Sequence, residues 1–209
     1  MNHDEAKEIV DGLPGLEPID SLFVRMVAFH ETGYGRGWKG AGAGSHNWGA
    51  ITFAPKGEAS EECPGGFPHE DSRFDPKAGK VVRYVTCFRS YPSDEAGAAD
   101  VARVALKGNV REAIRTGRVS AGAAAMFANK YFLGTKPTAD ENIADYTAAL
   151  ERAKAKILAE TGEPDPFAEP GEPGSDDSSP GLACLVSWAR FSAGPFSDRL
   201  HEARKGFGR

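Results

Sequence analysis

Phe23, Val27 and Glu31 recur at intervals of four, a spacing that stacks them on one face of a helix. A carboxyl therefore occupies a stripe that should be hydrophobic, and such a local conflict points to function. Where that stripe borders a cleft, loss of hydration disfavours the charged form and raises the pKa. An acid that keeps its proton near neutrality can protonate a departing sugar oxygen while positive charge builds at the anomeric carbon. On spacing alone the alternative is equally open: a helix-terminal carboxylate reaching water past Gly33 and Gly35.

Other chemistries find less support. The five histidines do not cluster at ligand spacing and no His-Glu-x-x-His run occurs, which disfavours a zinc amidase or endopeptidase. No metal and no cofactor are expected. Cys63, Cys87 and Cys184 form an odd count without a Cys-x-x-Cys pair, so they read as free thiols of a reducing compartment, with a single Cys63–Cys87 bridge across a hairpin as the alternative. A cysteine nucleophile would need a positioned histidine that the sequence does not identify.

The elements that must hold Glu31 follow from patterning. Residues 19–31 read as a helix capped by Asp20 or Ser21 and stopped by the glycines beyond it. Residues 35–45 are glycine-rich loop, and 47–53 read as a short strand leaving it. A polar, acidic loop is expected from 54 to about 79, then a second strand over 80–89, the two strands pairing as a hairpin with a long connection. Ser93, Asp94 and Glu95 open a helix reaching about Leu106. Helical patterns follow over 109–117, 119–130 and 138–161. The alanine run 121–125 is helix packing.

Four segments occur in a telling order: His30-Glu31-Thr32-Gly33-Tyr34-Gly35, Ser45-His46-Asn47-Trp48-Gly49-Ala50-Ile51, Phe88-Arg89-Ser90-Tyr91-Pro92-Ser93 and Lys130-Tyr131-Phe132. Together, over roughly residues 19–150, they resemble the bacterial and phage β-N-acetylglucosaminidases of the lysozyme superfamily, similar to glycoside hydrolase family 73. The resemblance implies a mainly α (α+β) fold, a lysozyme-like helical domain with a small β-hairpin lobe. It implies a peptidoglycan hydrolase cleaving β-1,4 glycosidic bonds as an endo-β-N-acetylglucosaminidase or muramidase, with Glu31 as general acid. A second carboxyl would sit on the hairpin lobe. Counting back from Phe88-Arg89 places it at Glu70, with Asp71 and Asp75, then Glu58, Glu61 and Glu62, as the other candidates and a merely solvated acidic loop as the alternative. Asn47 can hydrogen-bond an N-acetyl group and Trp48 can offer an apolar platform to a sugar face; otherwise they are a turn residue and a core residue. The family's Asn-x-aromatic-Gly is shortened here to Asn-Trp-Gly, leaving His46 or Asn47 in the asparagine's place. Tyr131 matches a family tyrosine near the cleft. Competing readings are a lytic transglycosylase, which uses one acid, and an inert virion or docking protein on the same scaffold.

The 209 residues carry a formal charge of −5, unevenly spread. Residues 162–181 hold six acids and no base, and 182–209 hold five Lys or Arg against two acids, leaving −2 for the rest. A near-neutral body gives no reason to expect nucleic acid, which needs a concentrated basic face. No stretch reaches the roughly 18 apolar residues of a membrane span, and the N-terminus lacks the apolar region of a standard signal peptide. The organisation expected is a catalytic domain over 1–160, a Pro/Gly/Ser/acidic linker over 161–181 and a basic aromatic segment over 182–209. That last segment would dock on the body, on a virion or secretion-machine partner, or weakly on the wall. The expected setting is synthesis in the cytoplasm and action at the bacterial cell wall, as a phage virion or lysis protein or a delivered effector.

Overall fold

The computed structural model describes residues 1–52 and 63–168. Among them are six α-helices and one two-stranded antiparallel sheet: α1 His3–Asp11, α2 Pro18–Thr32, β1 Gly66–Asp75, β2 Lys80–Arg89, α3 Asp94–Ala105, α4 Val110–Ile114, α5 Val119–Ala128 and α6 Ala139–Thr161. The fold is mainly α with a small hairpin. The C-terminal segment 182–209, most of the expected linker, and the candidates Glu58, Glu61 and Glu62 lie outside the described residues, as does Cys184.

Helix α2 is the axis of the body. Proline occupies its first turn and Gly33 takes the left-handed conformation at its end (φ 57°), a position that favours a residue without a β-carbon. Leu22, Phe23, Val24, Met26, Val27 and Ala28 are fully enclosed, and α1, α3, α4 and α6 pack around them. Leu150 and Ile157 of α6 and Ile114 of α4 join the same core. Helix α1 has no counterpart among the predicted elements; a reciprocal Asn2–Glu5 capping box starts it by satisfying amide donors that the first turn leaves open.

The hairpin is built differently from expectation. Residues 47–51 form a turn rather than a strand, and among the described residues an isolated bridge, Thr52 to Phe88, is the backbone pairing of that segment with the sheet. The true partner of β2 is β1, lying inside the stretch expected to be loop, with a register running from Gly66 opposite Arg89 to Asp75 opposite Lys80. The polar composition of β1 misleads because little of the hairpin is buried. The turn 76–79 closes it, with Asp75 accepting from the Lys77 and Ala78 amides and Gly79 at φ 62°.

The lobe is tied to the body at its base, where the Arg89 amide donates to the Ile51 carbonyl. Within the lobe Cys63 and Cys87 are disulfide-bonded, the alternative the sequence left open, so these two are not free thiols. Further out, the Phe74 amide of β1 donates to the Gly134 carbonyl in the α5–α6 connection at 3.1 Å.

Residues 162–168, which composition assigns to the linker, pack on the body. Arg25, 1% exposed, forms a bidentate pair with Glu163 at 2.6 and 2.8 Å. Phe167 enters the core beside Phe23.

Candidate active site

Glu31 lies in the last turn of α2, at the floor of a cleft of about 400 Å³ between the helical body and the hairpin. The body supplies Glu31, Trp38, Gly49, Ala50 and the segment 130–134; the hairpin supplies His69, Asp71, Ser72, Tyr84 and Phe88. Burial pushes the Glu31 carboxyl up to about 7, opposed by a hydrogen bond from Tyr146 and aided by the Asp71 charge. That Tyr146 hydroxyl donates to Glu31 Oε1 at 2.6 Å, and its ring stacks on Phe132 with centroids 4.0 Å apart. The acid is thereby held at one place by a residue of α6.

Alternation along β1 decides which carboxyl faces it. Cross-strand neighbours share a face of the sheet, so Phe67, His69, Asp71 and Arg73 stand with Phe88, Thr86, Tyr84 and Val82. Asp71 lies on that face and lines the cleft, accepting a hydrogen bond from the Tyr84 hydroxyl at 2.9 Å. Burial, then this bond, pushes the Tyr84 phenol up to about 12. Glu70, the residue reached by counting back from Phe88-Arg89, points to the other face and pairs with Arg83 at an exposed position. It is absent from the cleft because its side chain leaves the opposite face of the strand from Asp71 and reaches out to Arg83 in solvent. Asp75 is occupied with the turn amides.

The segment 45–51 supports the cleft floor and does not offer its long side chains to a ligand. Asn47 is fully enclosed: its amide nitrogen donates to the Ile51 and Arg89 carbonyls and its oxygen accepts from the Ile51 amide. Trp48 is also fully enclosed, its indole N–H donating to Asp94 at 3.0 Å. His46 and Arg36 meet the same carboxylate, and these partners hold Asp94 below the usual carboxylate range against the opposing effect of burial. Asn47 and Trp48 are thus staple and core. What they present to the cleft is the backbone of Gly49 and Ala50, and Ala50 holds φ 49°.

Tyr131 does line the cleft, its hydroxyl donating to the Gly49 carbonyl at 2.9 Å. Trp38, half-buried, is the tryptophan that lines the cleft: it packs edge-on against Phe67 and His69 and donates its indole N–H to the Asn47 carbonyl. Tyr146 stands 115 positions from Glu31 in the chain, and no local pattern marks it. Among the described residues no group of histidine, cysteine and acidic side chains is arranged to hold a metal ion, and no helix is long and apolar enough to cross a membrane.

No protein-family model matches the chain, and no curated protein matches it. Two solved structures are similar to it. One is a peptidoglycan hydrolase mutant from Sphingomonas sp. A1, at 18% identity over 76% of this chain and 92% of that one, with a TM-score of 0.49. The other is a C-terminally truncated glycoside hydrolase domain from Salmonella typhimurium FlgJ, at 15% identity over 74% and 92% of the two chains, with a TM-score of 0.42.

Proposed function

We propose that this chain hydrolyses β-1,4 glycosidic bonds in the glycan strands of peptidoglycan, with Glu31 as general acid and Asp71 as the second carboxylate. The observation that carries the reading is the pair itself: a carboxyl pushed up to about 7 at the floor of a polar cleft, opposite another held on the hairpin. Two carboxyl groups whose surroundings differ this much divide the roles of a glycosidase between them. Peptidoglycan as substrate is supported by the ordered motifs at 30–35, 45–51, 88–93 and 130–132.

In this reading the Glu31 proton passes to the departing sugar oxygen as the glycosidic C–O bond breaks, and a water molecule completes the hydrolysis by adding its oxygen to the anomeric carbon and giving up a proton. Asp71 supports the positive charge that develops at the anomeric carbon, and Tyr84 keeps it aimed there. Trp38 offers its exposed edge and face to the apolar side of a sugar ring. A lytic transglycosylase needs one carboxyl alone, so a second carboxylate on the facing wall favours hydrolysis.

The test is digestion of purified peptidoglycan followed by mass spectrometry of the soluble products. Wild type should release fragments with new reducing ends, whose terminal sugar identifies the bond cut, and no anhydro-muramyl ends. Glu31→Gln and Asp71→Asn should each lower kcat by about 10²–10⁴-fold, while Glu70→Gln stays near wild type. Anhydro ends would convert the reading to transglycosylation; no release from several wall types would end it.

A further inference from the structure

Lys130 lines the cleft together with Glu31 and Asp71. Helix α5 ends in a Schellman arrangement, the Tyr131 amide donating to Met126 and the Lys130 amide to Phe127, both at 3.0 Å. The residue that turns the chain there adopts the left-handed conformation, and glycine is its usual occupant. Glycine does fill the left-handed position after α2 and α6, at Gly33 and Gly162. After α5 the position belongs to Lys130, at φ 59°, a conformation that strains a residue bearing a β-carbon. The strain puts a long cationic side chain on the rim of the cleft.

A second cation stands on the hairpin, on the face of β1 that carries Asp71. Arg73 lies two residues along β1 from Asp71 and on the same face, about 7 Å further out, with its guanidinium over the Tyr84 ring at 5.4 Å from the centroid. Both side chains belong to exposed residues. Among the described residues neither takes part in an ion pair. In a chain of net charge −5, with two acids at the centre of the cleft, an anionic polymer needs local positive charge at the point of entry.

We propose that Lys130 and Arg73 receive the carboxylates of the peptides carried on alternate sugars of the glycan strand, so that the cleft selects an anionic, peptide-bearing polymer over a neutral amino-sugar chain. This rests on the cleft being a glycan site.

Lys130→Gly is the informative variant, because it removes the charge and relieves the backbone at once; its thermal midpoint should equal or exceed that of wild type. The substrates are soluble peptide-bearing glycan strands and the same strands with their carboxylates capped as methylamides. Wild type should prefer the native strands by roughly five- to tenfold in kcat/KM, and Lys130→Gly combined with Arg73→Gln should bring that ratio close to one. An undiminished preference in the double variant overturns the proposal. Binding of the two strand preparations to Glu31→Gln protein, with and without the two cations, gives the same ratio without turnover. Absence of cleavage by wild type therefore counts against the hydrolase reading alone, while the binding ratio still decides the role of the cations.

Discussion

The Tyr146 hydroxyl favours the ionised form of Glu31 and burial disfavours it; burial prevails and sets the carboxyl at about 7. An acid catalyst with that value is loaded below neutrality and empty above it, so kcat/KM should fall as pH rises through about 7. Tyr146→Phe removes the influence that lowers the value, and the alkaline limb should then move upward in a pH–rate profile. The same shift has a sign in stability. Because the folded value exceeds the unfolded one, the contribution is fully present below about 4.5 and is lost as pH rises through about 7. Glu31→Gln keeps an acceptor for Tyr146 and carries no charge to bury. In urea titrations it should match wild type at pH 4 and exceed it at pH 8 by about 2–3 kcal/mol. Glu31 is legible in the sequence because a carboxyl on an apolar stripe contradicts its neighbours. Tyr146 is not, since nothing local distinguishes a tyrosine that meets an acid from one that packs.

At the scale of elements, the hairpin shows how a reading can reach the lobe and miss the carboxyl that lines the cleft. The strand 80–89 is plain from its β-branched and aromatic content, whereas β1 is polar on both faces and reads as loop. Once the turn at 76–79 sets the register, parity selects Asp71 over Glu70, and parity is invisible to counting along the chain. Asn47 and Trp48 are enclosed, and residue type alone does not say whether a polar group meets a ligand or a backbone. The loop they stabilise fits against α3 with no tolerance, because a β-carbon at Gly97 would lie 1.9 Å from the His46 carbonyl oxygen. Gly97→Ala should therefore destabilise the fold by about 3 kcal/mol or more, read as a lowered denaturant midpoint, and it should disturb the cleft floor through Gly49 and Ala50.

Over the whole molecule, composition set the end of the folded body too early. Segment 162–168 is proline-rich and acidic, which resembles a linker, yet Glu163 neutralises the enclosed Arg25 and Phe167 fills a place in the core. Removing one partner leaves a buried charge uncompensated, so Glu163→Ala should cost about 3–5 kcal/mol, measurable by chemical unfolding. The hydrogen bond from Phe74 to Gly134 links the two walls of the cleft away from their common base, and it bears on polymer topology. The glycan strand proposed as substrate offers few ends and many interior bonds. A groove whose walls meet beyond Asp71 admits an end by threading but an interior segment only when the meeting point parts. Parting exchanges one backbone hydrogen bond for water, a net change of about 1 kcal/mol, so sideways entry is thermally accessible, and the length distribution of the earliest products records how often it occurs.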